Sequence, residues 1–386
     1  MKAWQAAWVP KKKAGEGAVL ERTYRLLTPL FGGGVEPKRA DPITAVRPTA
    51  VRGALRFWWR VLRGWRAGGS LEELRRLEEG IFGSTERPSP LQVELEPLDG
   101  GREEAVFVDV PGKRSPKPRP EVAHPYLAYP LQRTQEDPKN YPVRVGVRFR
   151  LRLRFPEALR EEVEAALWGL ETFGGLGGRA RRGFGALGRE DAPPLDEGAI
   201  RAGLRRYSRQ EGWPEGVPHL TPESLLRVVD RPWQEVAEAY RAFRQARPGG
   251  DSRHPGRSLW PEPDAIRRLT GRHAPNHPPR HPVDKFPRGQ FGLPIVFHFK
   301  DKGEPGDSFL KGLEAERLAS PLLLRPLGER RTLVAVLEAP RMPPGGVGLE
   351  AGRVYPVKVF LTPGEAQQIG VLRGKTDPIR AFVESL

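Results

Sequence analysis

Between Val143 and Phe155 the chain shows its clearest two-residue period. Val145, Val147, Phe149, Leu151, Leu153 and Phe155 point to one side of an extended strand, and Arg144, Arg148, Arg150, Arg152 and Arg154 to the other. A strand with one apolar and one arginine face belongs to a sheet covered on one side only. A helix over Pro156–Phe173 follows directly, with Leu159, Val163, Leu167 and Leu170 as its buried stripe and Glu161, Glu162 and Glu164 elsewhere on its surface. Pro156 suits the first helical position and Gly174 the position just past the end. The pattern predicts an α+β fold with helices on one face of an antiparallel sheet.

The helix runs into GGLGGRARRGFG, Gly174–Gly185, which leads to a strand over Gly183–Arg189. Gly174, Gly175, Gly177, Gly178 and Gly183 surround Arg179, Arg181 and Arg182. Successive glycine N–H groups form anion-binding nests, and the guanidinium fork bonds phosphate oxygens in pairs. The competing reading is a flexible loop whose arginines are merely solvated. The GxGxxA spacing from Gly175 to Ala180 does not make a dinucleotide fingerprint, because that motif runs from strand into helix and this one from helix toward strand. A P-loop is excluded here because no GK[ST] accompanies the glycines of this loop.

Earlier in the chain, Glu21–Phe31 reads as a strand and Gly32–Gly34 as a second glycine turn, followed by Lys38 and Arg39. A helix is predicted over Thr49–Arg66. Val51, Leu55, Trp58, Leu62 and Trp65 form its apolar face, and Arg52, Arg56, Arg60 and Arg63 lie on another. Trp59 falls between the two stripes and is the one tryptophan placed to stack on a base. Ser70 and Glu73 make a capping box for a short helix. Leu91–Pro97 and Ala105–Val110 are short strands, and Pro111–Pro142 is a long loop. Asp196–Arg247 reads as broken helix and Pro248–Arg288 as a loop. Strands follow at Phe291–Lys300, Pro321–Pro326, Thr332–Glu338 and Val354–Leu361, with a last helix over Pro378–Leu386. Both halves mix strands and helices, which suggests two related α+β units in a chain of 386 residues.

Charge points to the partner. Lys+Arg number 64 against 48 Asp+Glu, a net +16, and 14 of the 64 are lysine, leaving 50 arginines. That balance favours a polyanion, nucleic acid before membrane. Without cysteine there is no disulfide, thiol nucleophile or cysteine zinc site. With 42 prolines and 2 methionines the composition also fits a thermophile. No signal-peptide core or run of 18 apolar residues is present, so a cytoplasmic protein with no membrane partner is expected. His273, His277 and His281 recur every four residues, but Pro275, Pro278, Pro279 and Pro282 exclude the helix that would gather them on a metal. No metal site or cofactor is expected. His124, near Tyr126 and Tyr129, is the histidine best placed for acid–base chemistry; His219, His254 and His298 stand apart.

LLTPLFGGG, DPITAVRPTAVRGALRFWWR, EEGIFGS and the helix ending in GGLGGRARRGFG together resemble the RAMP proteins of CRISPR systems. Among them they resemble the family that supplies subunit one of the type III-B Cmr effector complex. The likeness is strong over Leu26–Gly185 and looser at Arg317–Pro326. It implies two ferredoxin-like (RRM-like) domains: residues 1–190 with the Gly-rich loop, then 191–386 as a helical insertion and a second, divergent domain. It implies a non-catalytic subunit near the 3′ region of guide RNA (crRNA), close to target RNA and beside other RAMP subunits. The residues assigned to RNA are Gly174, Gly175, Gly177, Gly178, Arg179, Arg181 and Arg182; Arg52, Arg56 and Arg60; Lys38 and Arg39; and Arg148, Arg150 and Arg152. Two alternatives stand beside this: a metal-independent endoribonuclease that processes guide RNA, using His124 or Tyr126, and a scaffold whose basic faces are buried against partner proteins.

Overall fold

The computed structural model describes residues 17–36, 38–113, 115–249 and 256–386. The N-terminal stretch read for a signal sequence, and His254, lie outside these residues. The first unit opens with strand β1 (Gly17–Leu26), helix α1 (Pro48–Arg63) and helix α2 (Leu71–Phe82). Strands β2 (Gln92–Asp99) and β3 (Arg148–Pro156), helix α3 (Arg160–Phe173) and strand β4 (Leu187–Arg189) complete it. The sheet is antiparallel in the order β2-β3-β1-β4. A β-α-β-β-α-β path in that order is the ferredoxin-like arrangement, with α1 and α3 on one face.

The predicted alternation sets this register. Phe149, Leu151, Leu153 and Phe155 are buried with Val51, Leu55, Trp58 and Leu62 of α1 and Val163, Leu167 and Leu170 of α3. The helices approach so closely that a Cβ at Gly169 would lie 2.6 Å from Leu62 Cδ1. The expected single strand is divided, however. Pro142–Val145 pairs with Arg102–Ala105, and Gly146, at φ 77°, turns the chain before β3 begins. Arg144 consequently leaves the arginine face; it is buried and donates to the carbonyls of Gly100 and Pro42. Pro156 ends β3, and a 3₁₀ turn over Glu157–Leu159 precedes α3, so the proline is not the first residue of that helix.

Residues 196–247, expected as broken helix, also hold a strand. Helix α4 (Glu197–Tyr207) packs on α1 and α3, and Leu226–Val229 forms a strand, β5, leading into α5 (Trp233–Gln245). The segment read as a loop before residue 288 contains helix α6 (Glu262–Thr270). Strands β6 (Ile295–Phe297), β7 (Ser308–Gly312), β8 (Leu322–Pro326), β9 (Thr332–Val336), β10 (Val347–Ala351) and β11 (Arg353–Val357) follow, then helix α7 (Pro378–Ser385). The sheet order β8-β9-β5 repeats the β2-β3-β1 order of the first unit, with α5 and α7 in the places of α1 and α3. Two insertions, β6–β7 and β10–β11, join in a separate four-stranded antiparallel sheet over Ile266, Phe286, Leu310 and Leu349. Residues 111–142, expected as a loop, hold the short strand Lys117–Pro118, paired with Phe107–Val108, and the helix Pro125–Ala128, whose Leu127 and Ala128 are buried.

Candidate nucleic-acid interface

The Gly-rich loop is stapled between the two units. Gly178 N–H donates to the Phe31 carbonyl (2.6 Å), Gly185 N–H to Pro29 (2.9 Å) and Leu176 N–H to Gly185 (2.9 Å). Thr28 Oγ1 donates to the Gly183 carbonyl (2.6 Å) and accepts from Ala186 N–H (3.0 Å). The glycines permit backbone to lie on backbone. At Gly177 φ is 77° and a Cβ would sit 2.7 Å from the Phe31 carbonyl oxygen; at Gly185 φ is 61° and a Cβ would overlap the Leu176 carbonyl oxygen. A loop held by this many hydrogen bonds is a fixed platform, not a slack connector.

Its three arginines divide into different roles. Arg182 turns inward, donating to the Leu322 carbonyl of β8 (2.8 Å) and to Tyr240 Oη (3.1 Å). Arg244 donates to the same phenol oxygen at 3.2 Å. Burial pushes the Tyr240 hydroxyl up, but Arg182, Arg244 and Arg179 outweigh it and draw it below its ordinary range. Arg181 donates to the Ser320 carbonyl (2.6 Å) and lies over the Phe57 ring at 5.4 Å. Arg179, itself in the left-handed region, lies over Tyr129 at 5.2 Å. Burial, reinforced by repulsion from Arg182, lowers the pKa of both Arg179 and Arg181. Among the described residues none of the three forms an ion pair with a carboxylate.

Facing the loop across a groove of about 450 Å³ is the start of α1. Arg47 occupies the N-cap of that helix. Its Nη2 reaches only the Gly34 carbonyl, at 3.5 Å, and its buried Nε has no partner. No acidic residue occupies the first turn, so the positive end of the helix is uncompensated on this side. Arg52, one turn on, donates to the Leu91 carbonyl (3.2 Å) and has no carboxylate partner among the described residues. Sequence reading passed over Arg47 and Phe57. The usable signal was Ala50, Ala54 and Phe57 at i, i+4 and i+7, a second small-and-apolar line on α1 beside the core stripe.

The other predicted positions are neutralised within the chain. Arg56 and Arg60 both pair with Glu78 of α2. Lys38 pairs with Asp137 (2.7 Å) and Arg39 with Glu103 (3.3 Å). The arginine face of β3 is not bare: Arg148 pairs with Glu190 (2.7 Å), Arg150 with Glu96 (2.6 Å), Arg152 with Glu21 (2.6 Å) and Arg154 with Glu94 (3.0 Å). Glu21 lies on β1 and Glu94 and Glu96 on β2, the two strands beside β3, and Glu190 lies just past β4, on the far side of β1, so this pairing was invisible in the one strand read alone. Trp59 is not available for stacking. It is 1% exposed and donates to Glu162 (2.7 Å), which also takes two hydrogen bonds from buried Arg63. Trp58 is core, as read; Trp65 is only half-buried, flanked by Arg63, Arg66 and Arg209. His124 Nε2 lies 3.1 Å from Glu238, and burial holds its pKa below the usual value despite that carboxylate. The Tyr126 ring packs on Tyr240. Among the described residues no three His, Asp or Glu side chains are grouped to hold a metal, and no helix is long and apolar enough to cross a membrane.

A ferredoxin-like unit whose second helix passes through a pinned Gly-Arg loop into the last strand is the unit matched by the RAMP superfamily model, over residues 23–187. The chain is 30% identical over 174 residues to the CRISPR system Cmr subunit Cmr1-2 of Pyrococcus furiosus, covering 42% of this chain and 89% of that one. To Cmr subunit Cmr1-1 of the same organism it is 28% identical over 146 residues, 37% of this chain and 40% of the relative. The chain belongs to the RAMP superfamily, as a relative of the Cmr1 subunits of type III-B CRISPR systems. Two solved structures share its fold. Apo Cmr1 from Pyrococcus furiosus aligns with a TM-score of 0.50 at 19% identity, over 84% of this chain and 88% of that one. A chain of the type III-B Cmr-beta complex bound to cognate target RNA aligns with a TM-score of 0.50 at 13% identity, over 95% and 99%.

Proposed function

We propose that this chain is a non-catalytic RNA-binding subunit of a type III-B CRISPR effector complex. In this reading it grips guide RNA toward its 3′ region, and target RNA beside it, next to other RAMP subunits. The observation that carries it is the distribution of charge. Around the Gly-rich loop and the start of α1, Arg47, Arg52, Arg179 and Arg181 face carbonyls and rings instead of carboxylates, while the arginines of the β3 face are matched by glutamates. Cations gathered without counter-charges gain most from a phosphate backbone. The sequence of the RNA would be read by pairing between guide and target, not by this chain.

The test compares two charge-removing variants of the full chain on labelled single-stranded RNA. Arg47→Ala/Arg181→Ala is expected to weaken binding at least tenfold, and Arg150→Ala/Arg152→Ala to leave it within about threefold. Equal losses from both would move the RNA to the β3 face. Absence of binding by the unmodified chain, with stable co-purification with partner subunits, would favour the scaffold. Site-specific cleavage of repeat RNA in EDTA would favour the endoribonuclease, and His124→Gln would then abolish it.

A further inference from the structure

The groove between α1 and the Gly-rich loop has more structure than a track for phosphates needs. One wall is the line Ala50, Ala54 and Phe57 on α1; the opposite wall is the backbone of Gly174–Gly177. Its floor is Trp58 and Phe173, stacked with ring centroids 5.7 Å apart at 26°. Arg47 and Arg181 stand among the lining residues, Arg181 over Phe57. Small side chains and glycine peptide planes facing each other make a flat apolar slot, the shape that takes a planar ring.

Two donors in this slot lack acceptors. Trp58 is 4% exposed, and among the described residues its indole N–H makes no hydrogen bond. A Cβ at Gly174 would overlap Trp58 Nε1, so only glycine can stand there beside the indole. The second donor is the buried, unpartnered Nε–H of Arg47. A buried donor left without an acceptor is costly, as Arg47 Nε–H is; the Trp58 indole N–H, also without an acceptor among the described residues, borders the same groove. Apolar walls, an orphaned N–H on the floor and guanidinium groups beside it match one nucleotide: base between the walls, an acceptor on its edge toward Trp58, and its phosphate on Arg47 or Arg181.

We infer that the groove is a slot for a single unpaired RNA base, swung out of its strand. This rests on the RNA-binding reading and adds that the chain holds a base as well as the backbone. The test uses the full chain and two short RNAs with the same number of phosphates, one with bases and one a ribose-phosphate strand without them. The base-bearing strand is expected to bind about tenfold or more tighter. Ala54→Phe, which fills the slot from a half-exposed helix position, should abolish that difference while leaving the salt dependence of binding intact. Phe57→Leu, which keeps the apolar volume and removes the ring, should reduce the difference in a chain with unchanged circular dichroism. Equal affinity of the native chain for both strands, or a full base preference in folded Ala54→Phe, would overturn the slot while leaving backbone binding in place. Failure of the native chain to bind either strand would overturn both readings.

Discussion

Replacing Arg47 and Arg181 together by alanine tests how phosphate contact is divided in this molecule. Of the arginines without carboxylate partners in the loop and on the first two turns of α1, Arg182 is committed to the Leu322 carbonyl and Tyr240, which leaves Arg47, Arg179 and Arg181 and, on another side of α1, Arg52 to meet phosphates. For single strands log K falls with log salt by about 0.7 per phosphate neutralised, so four contacts give a slope of about −2.8. Between 50 and 200 mM salt, about 0.6 of a decade, the native chain should lose about 50-fold in affinity. The double variant, with two contacts, should have a slope of about −1.4 and lose only about sevenfold. Fluorescence anisotropy of a labelled single-stranded RNA, titrated at five salt concentrations, measures both slopes. A double variant that stays folded and keeps the native slope would show that neither guanidinium meets phosphate, and the assignment of this groove to RNA would be wrong.

Other consequences concern the frame that holds the groove. Glu162→Ala strips Trp59 and buried Arg63 of their acceptor and leaves Arg63 only the exposed Glu161, so unfolding in urea should show a loss of about 3–5 kcal/mol. Burial pushes the Glu162 carboxyl up, but Arg63 and Trp59 outweigh it and hold it below the usual range. Its contribution is therefore complete above the unfolded value of about 4.3 and lost as pH falls below it; Glu162→Gln should flatten that acid limb. Tyr240→Phe removes the acceptor shared by Arg182 and Arg244 and should cost about 1.5–3 kcal/mol, read as a lower urea midpoint. Gly185→Ala forces a side chain into the left-handed region and onto the Leu176 carbonyl; it should cost at least about 1–2 kcal/mol and weaken RNA binding, measured by the same titrations.

The sequence by itself determined the first unit. Strict alternation in Arg148–Phe155, the 3.6-residue stripes of α1 and α3, and the helix–loop–strand order around Gly174–Gly185 each depend on the local chain, and local periodicity survives without knowledge of neighbours. It also carried the likeness to the RAMP proteins. The second unit was only partly legible: the short strands Leu226–Val229, Ser308–Gly312 and Val347–Ala351 lack a long enough run to show a period, and they exist because partners distant in sequence pair with them. Tertiary structure alone decided which cations are free. An arginine stripe reads the same on paper whether a glutamate lies opposite or not, and that depends on strand register and helix packing. Hence Arg56, Arg60 and the β3 arginines are matched by Glu78, Glu21, Glu94, Glu96 and Glu190, while Arg47 and Arg181, far apart in the chain, line one groove and, among the described residues, form no ion pair.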